Sequence, residues 1–136
     1  MIQQKEIRLP EFKRGFHLIT DLITRELPDL PEKGLLHILI KHTSAGITIN
    51  ENADPSVRTD FNSFMNELIP ENHPVYTHTY EGADDMPAHL KSSVLGAELT
   101  IPITNRRLNL GTWQGIYLGE YRDYGGPRKL VLTVYS

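Results

Sequence analysis

The sequence predicts a mostly β, α+β fold: a sandwich or barrel of short strands with a few short helices packed against it. Strand-like segments outnumber helical patterns, β-branched residues concentrate in them, and Gly and Pro separate them at short intervals. Many strands interrupted by few helices are typical of this architecture. The 136 residues can bury a core of their own, so we expect a single domain over residues 1–136.

The first elements are expected to be a strand, a helix and two further strands. Residues 2–9 alternate loosely as a strand would, whereas residues 12–27 repeat apolar side chains at helical spacing. Pro28 would end that helix. The apolar run LLHILI within residues 34–41 predicts a buried strand, and AGITIN at residues 45–50 alternates with β-branched residues.

Two helices are expected in the middle of the chain. Asp54 is a good N-cap and Pro55 occupies the favoured first helical position. A second helix is predicted from Asp84 to Val94, with Gly96 as its stop. The apolar stripe of the first of these helices consists of Val57, Phe61, Phe64, Met65 and Leu68.

The remainder of the chain is predicted to be β. Strand candidates cover residues 98–103, 107–110, 113–120 and 129–135. Turn-forming residues separate these segments, among them Asn105, Gly111 and the stretch 123–127.

Composition excludes several classes of function. The net charge is −3, which argues against a dedicated nucleic-acid binder. The absence of cysteine excludes disulfides, thiolate metal sites and cysteine catalysis. No segment approaches the roughly 20 apolar residues needed to cross a bilayer, and the first residues lack a signal-peptide pattern. We therefore expect a cytoplasmic protein with no membrane or nucleic-acid partner.

Three of the six histidines stand beside other polar groups. His42 ends an apolar strand, His78 precedes a Glu-Gly pair and two aspartates, and His89 falls in the first turn of a predicted helix. We expect His42, His78 and His89 to converge on one ion or anionic ligand, although their spacing matches no compact zinc signature. The alternative is that they are polar loop residues at helix ends. His17, His37 and His73 lack a polar cluster, and we expect structural or solvated roles for them.

Glu120 stands at the end of a predicted strand with no local role. It shares one face of that strand with Gln114, and the apolar residues between them predict that the face is buried. A buried carboxylate needs a partner. The candidates are Arg122 or Arg128, which would make Glu120 structural, or a histidine of the site, which would make it functional.

Familiar catalytic motifs are absent. Ser44 lies near His42, but no buried Asp is evident to orient the imidazole and there is no GxSxG turn. The phosphate loop and the dinucleotide fingerprint are also missing.

Three long motifs, in order, resemble the YjbQ family, also labelled secondary thiamine-phosphate synthase. They are HTSAGITINENADPSVRTDF, HTYEGADDMPAHLKSSVLG and LNLGTWQGIYLGEYRDYGGPRK. The resemblance covers roughly residues 5–135. It implies a β-sandwich-like single domain of the YjbQ type, a homotrimer, and a pocket that gathers the motif residues.

The resemblance and the chemistry of the residues together indicate which residues form the site. The expected catalytic group is His42, Ser44, Glu81, His89, Gln114 and Glu120. Trp113 and Arg128 are expected to bind the ligand. The expected ligands of a divalent metal, zinc or magnesium, are His42, His78, His89 and Asp85. Asp85 departs from the family pattern, which has an amide at this position, and so adds a potential metal ligand.

The family label implies the joining of a pyrimidine diphosphate to a thiazole phosphate. Such a reaction needs a cation to neutralise the departing pyrophosphate, a flat surface such as Trp113, and polar groups such as Gln114. We therefore expect a metal-assisted enzyme acting on a phosphorylated heterocyclic metabolite. The alternatives are a non-catalytic small-molecule or metal-binding protein, and a metal-dependent hydrolase.

Overall fold

The computed structural model describes residues 1–136 and has an α+β fold of two antiparallel sheets and three helices, as predicted. The strands are β1 (Ile2–Arg8), β2 (Gly15–Leu18), β3 (Lys33–Ile40), β4 (Ala45–Glu51), β5 (Glu98–Thr104), β6 (Arg107–Leu108), β7 (Gln114–Glu120) and β8 (Lys129–Tyr135). The helices are α1 (Thr20–Glu26), α2 (Pro55–Leu68) and α3 (Asp85–Leu95).

The two sheets pack face to face, and α2 and α3 cover the smaller one. The large sheet has the strand order β1-β8-β3-β5-β6 and the small sheet the order β2-β7-β4. Ile116 and Leu118 of β7 join the main core between the sheets. On the other face of β7, Tyr117 packs with Met65 of α2 and Ala88 of α3 in a second apolar cluster. The middle strand of the small sheet is therefore buried on both faces.

The helix predicted for residues 12–27 is wrong in its first half. Residues Gly15–Leu18 form β2, which pairs with β7, and only Thr20–Glu26 are helical. Phe16 lies opposite Gly119 and is buried against Tyr117 and Tyr121. The tertiary pairing outweighs the local helical pattern of apolar residues. As part of a strand beside β7, Phe16 is buried, whereas one more turn of α1 would not bury it in this way.

Helix α2 begins as predicted. The Asp54 carboxylate accepts a hydrogen bond from the Ser56 amide at 2.9 Å, and Pro55 occupies the first turn. The predicted apolar stripe is only partly buried, because Phe64 and Leu68 point to solvent while Met65 faces the small sheet. None of the three helices combines the length and apolar character needed to cross a bilayer.

Candidate metal centre

The candidate site lies where three segments meet. These are the first turns of α3, the connection between β3 and β4 at residues 42–44, and the chain that leaves β7 at Arg122. The β7 register fixes this meeting, since Glu120 at the end of the strand lies opposite both Ala45 of β4 and Gly15 of β2.

Helix α3 is tied to its neighbours on two sides. The Ser92 hydroxyl donates to the Ala45 carbonyl at 2.9 Å. The buried ammonium of Lys91 donates to the Asn66 side-chain oxygen of α2 at 2.6 Å, and burial lowers the pKa of Lys91 to about 8. These contacts, from the second half of α3, hold the helix against β4 and α2.

Asp85 is the centre of the site. Its side chain is only 2% exposed, and one carboxylate oxygen, Oδ2, lies 2.7 Å from His78 Nε2 and 3.1 Å from His89 Nε2. The other oxygen, Oδ1, accepts a hydrogen bond from Arg122 Nη1 at 2.5 Å. Burial acts to raise the pKa of Asp85, but the hydrogen bond from His78 and the charges of His89 and Arg122 outweigh it and lower the pKa.

Arg122 organises this end of the protein. Besides Asp85, its guanidinium donates to the Asp84 carboxylate at 3.0 Å and to the Glu81 carbonyl at 2.9 Å. The Asp84 carboxylate also accepts from the Asp123 amide at 2.9 Å, so it makes no side-chain cap for its own helix. Arg122 was expected from the sequence as a possible side-chain partner for Glu120, but its guanidinium pairs with Asp84 and Asp85 instead.

The His89 ring is oriented at both nitrogens. Nδ1 lies 2.9 Å from the Thr43 carbonyl oxygen, which can only accept, so Nδ1 carries a proton. Nε2 faces the Asp85 carboxylate. The contact with Thr43 fixes the tautomer of the ring and turns Nε2 toward the carboxylate. Histidines that bind metals in proteins are commonly oriented in this way.

The ligand atoms of His78, Asp85 and His89 all lie within 4.8 Å of one another, so the group could hold a metal ion. Two ligands about 2.1 Å from one zinc ion at the tetrahedral angle are about 3.4 Å apart. The spacings of 2.7 and 3.1 Å around Asp85 Oδ2 are hydrogen-bond distances, so the ligand atoms would move apart by roughly half an ångström to admit the ion.

Of the three imidazoles expected to converge, two do. His42 stands outside the group, because its Nε2 accepts a hydrogen bond from the Lys129 amide at 2.8 Å. Burial, together with the nearby Arg128 charge, lowers the pKa of His42. It shares only a shallow cavity with His89. Of the four expected metal ligands, His78, His89 and Asp85 therefore lie together, and His42 does not join them.

The hydrogen bonds of the Glu120 carboxylate go to Arg128 and to the Arg122 amide, and none goes to a histidine. The carboxylate is paired with Arg128 through two hydrogen bonds of 2.7 and 2.6 Å, and Arg128 also donates to the Ser44 carbonyl at 3.2 Å. Of the two roles considered for Glu120, the observed contacts correspond to the structural one, with Arg128 as the partner. They also place Arg128 in the interior, where it is 4% exposed, and not on a ligand-binding surface.

Gln114 and Trp113 lie at the opposite end of β7 from Glu120. Gln114 is six residues before Glu120 on β7, about 20 Å along the strand, and opposite Glu51 at the other end of β4. Its side-chain oxygen accepts from the Gly111 amide at 2.8 Å, while Trp113 is 66% exposed. The expectation that Gln114 and Glu120 border one pocket is therefore not met within a single chain. The Glu81 side chain is exposed, and only its backbone takes part in the site.

The comparisons with known proteins agree on one family. A family profile described as UPF0047 protein YjbQ-like matches residues 5–136. The chain is 57% identical to the UPF0047 protein YjbQ of Salmonella typhimurium over 136 residues, which is 98% of each chain. It is 51% identical to the protein of the same name from Escherichia coli O157:H7, again over 98% of each chain.

Solved structures of relatives share the fold. A conserved hypothetical protein from Thermus thermophilus superimposes with a TM-score of 0.82 at 34% identity, covering 93% of this chain and 97% of that one. An uncharacterised conserved protein of the YjbQ/UPF0047 family from Clostridium acetobutylicum has a TM-score of 0.81 at 35% identity, covering 96% and 99%. On the sequence match and the shared fold together, the chain belongs to the YjbQ-like UPF0047 family.

Proposed function

We propose that the protein is a metal-assisted enzyme that acts on a phosphorylated heterocyclic metabolite, with a divalent cation held by His78, Asp85 and His89. One observation carries this proposal. His89 donates from Nδ1 to a carbonyl and turns Nε2 toward a buried carboxylate 3.1 Å away. A neutral ring and a carboxylate would face each other there as two acceptors, and that contact is repulsive unless a cation lies between them. A divalent ion, or a second proton on the ring, supplies the charge.

The surroundings of the three ligands favour a metal ion. Thr43 and Arg122 hold the outer atoms of His89 and Asp85 in place, and such outer contacts are regular features of metal centres. Two imidazoles and one carboxylate suit zinc or a similar transition ion better than magnesium, which prefers oxygen ligands and keeps several waters. Three protein ligands leave a position for a substrate oxygen.

The chain's own residues would position the reacting groups. A cation in this site supplies charge neutralisation at a phosphoryl or pyrophosphoryl oxygen. Arg122 keeps Asp85 ionised and fixed, and His78, whose side chain is 47% exposed, borders the solvent side where a substrate can approach.

In the reaction that the family label implies, the bond from the pyrimidine methylene carbon to the pyrophosphate oxygen breaks. A bond from that carbon to the thiazole nitrogen then forms.

Elemental analysis tests the metal ligands directly. We expect the purified protein to bind one zinc ion per chain and the His89→Ala variant to lose it, because a ligand and its fixed tautomer are removed. His37→Ala is the matched control, since His37 Nε2 also lies 2.8 Å from a carboxylate, that of Glu98, but without a third ligand. Equal zinc content in wild type and His89→Ala would contradict the assignment.

A turnover assay then separates the kinds of function. The zinc-loaded protein is given a pyrimidine diphosphate together with a thiazole phosphate. A joined product supports the proposed transfer. Release of pyrophosphate or phosphate without a joined product indicates the hydrolase, and zinc binding with no turnover of either kind indicates a binding protein.

We also propose that the protein assembles as a homotrimer, as its family resemblance implies. No helix covers the outer face of the large sheet, and Leu35, Leu39 and Tyr135 are exposed there. We expect light scattering to give about three times the 15.5 kDa chain mass, and Leu35→Lys to lower it by placing a charge in the contact. Val94→Lys, on α3, is the matched control. A mass near one chain contradicts the trimer, and a trimeric Leu35→Lys variant contradicts this face.

A further inference from the structure

A cavity of about 320 Å³ opens beside His78. Its wall includes Asn72, His73, Tyr76, His78, Thr79 and Met86. The cavity therefore extends from His78, the one candidate metal ligand in its wall, to the loop that follows α2. From the sequence, His73 was expected to be solvated, because it lies in the Pro-flanked loop ENHP with no polar cluster around it.

The loop holds His73 in one orientation. The Val75 amide donates to His73 Nδ1 at 3.2 Å, and the Tyr76 amide donates to the His73 carbonyl at 3.1 Å. The Tyr76 hydroxyl closes the loop by donating to the Pro70 carbonyl at 2.9 Å. The Tyr76 ring also lies 5.5 Å from the His73 ring, centroid to centroid. Asn72 adopts φ 59°, a left-handed conformation that asparagine tolerates well.

This orientation fixes what His73 can offer a ligand. Because Nδ1 accepts a hydrogen bond, a neutral ring carries its proton on Nε2 and presents a donor from that atom. No lysine, arginine or carboxylate lines the cavity. An anionic ligand would therefore find its charge partner in the metal centre at His78 and a hydrogen-bond donor in His73.

We propose that His73 contacts the substrate, donating from Nε2 to one oxygen of a phosphate group whose other oxygen reaches the ion held by His78, Asp85 and His89. The inference rests on the proposed function and adds the position of the phosphate. The cavity lies at the lower end of the volumes of small-molecule sites, about 300–1,000 Å³. It can therefore hold a compact phosphate-bearing group, while the remainder of the metabolite would extend into solvent.

The test uses the full zinc-loaded chain with inorganic phosphate as the probe, measured by calorimetry. His73→Asn is the informative variant. Its short side chain can still accept the Val75 amide and keep the turn, but it cannot extend a donor as far as the imidazole does. We expect phosphate affinity to fall about tenfold or more, because a hydrogen bond to a charged group is lost. Zinc content and the unfolding midpoint should stay unchanged, and His37→Ala should leave all three unchanged.

Each outcome decides between the two proposals. Unchanged phosphate affinity in His73→Asn overturns the inference, and loss of zinc in that variant overturns it too by making His73 a ligand of the metal. If the wild-type chain binds no zinc, the proposed function fails. The inference about His73 then survives only if the metal-free chain binds phosphate and His73→Asn weakens that binding.

Discussion

Replacing Glu120 by glutamine is expected to lower the free energy of unfolding by about 3–5 kcal/mol, the usual cost of breaking a buried ion pair by removing one partner. Glu120 is 0% exposed and Arg128 4%. In the variant, Arg128 would keep its charge in the interior with only a neutral amide and the Ser44 carbonyl as acceptors. Urea denaturation measures the loss.

The packing around this pair leaves little room for adjustment. Arg128 donates from two nitrogens to both oxygens of Glu120, and the Arg122 amide adds a third bond to that carboxylate at 3.2 Å. A side chain at Gly125 would collide with both members of the pair. The pair therefore links the end of β7 to the start of β8 in a single arrangement, and water cannot readily replace the lost partner.

Two controls define the result. Glu98→Gln removes the exposed carboxylate of the His37 contact and should change stability by less than about 1 kcal/mol. The double variant Glu120→Leu with Arg128→Met should recover much of the loss, because an apolar pair of similar volume avoids the buried charges. Zinc affinity of the folded protein should be kept in Glu120→Gln. A zinc affinity that drops by about 10–100-fold with little change in melting would instead make Glu120 a supporting group of the metal centre.

The parts of the fold that could be predicted are those where local signals agree with the tertiary structure. The N-cap at Asp54 and the strand β3 are examples, because capping chemistry and continuous apolar character depend on a few adjacent residues. The expected burial of β3 holds for one face only, since Leu35 and Leu39 are exposed. Residues 15–18 could not be predicted in this way. Their strand conformation depends on pairing with β7, about a hundred residues away in sequence.

The site divides along the same line. His78, Asp85 and His89 lie within one short stretch, so a sequence pattern brings them to attention as a group. Whether Gln114 belongs with Glu120 depends on strand length, and the alternation that puts them on one face says nothing of the 20 Å that separates them, about six strand residues. The role of Arg122 depends on where the chain turns after β7, and His73 depends on a loop folding back toward α3. Neither the turn that brings Arg122 to Asp85 nor the fold that brings His73 toward α3 can be recognised from the sequence.

Replacing Asp85 by asparagine is expected to have the largest effect on the metal centre, lowering zinc affinity by at least about 100-fold. This is the upper end of the effect of losing a supporting contact, and Asp85 supplies a ligand atom as well. The amide oxygen carries no charge. In addition, the new NH₂ group can donate to His89 Nε2, so the ring would no longer need a cation beside it.

Asp84→Asn is the matched control for this substitution. Asp84 is the adjacent carboxylate and also accepts from Arg122, at 3.0 Å, but it is not among the three grouped ligands. Both variants remove one negative charge next to the same guanidinium. A difference in zinc affinity between them therefore reflects the loss of a metal ligand and not the loss of a nearby negative charge. Zinc affinity measured by chelator competition should stay within about tenfold of wild type in Asp84→Asn.

The pH at which the two variants are compared follows from the pKa of Asp85. Burial raises that pKa, but the His78 hydrogen bond and the His89 and Arg122 charges lower it further than burial raises it. The carboxylate therefore stays ionised throughout the neutral range. The stability it contributes to the fold is present above its unfolded pKa and is lost only as the pH falls through the lower folded value. At pH 7 the Asp85→Asn comparison thus measures the full effect of losing the ionised carboxylate on zinc affinity.

Zinc binding by Asp85→Asn as tight as that of Asp84→Asn would show that Asp85 is not a metal ligand and would overturn the proposed metal centre.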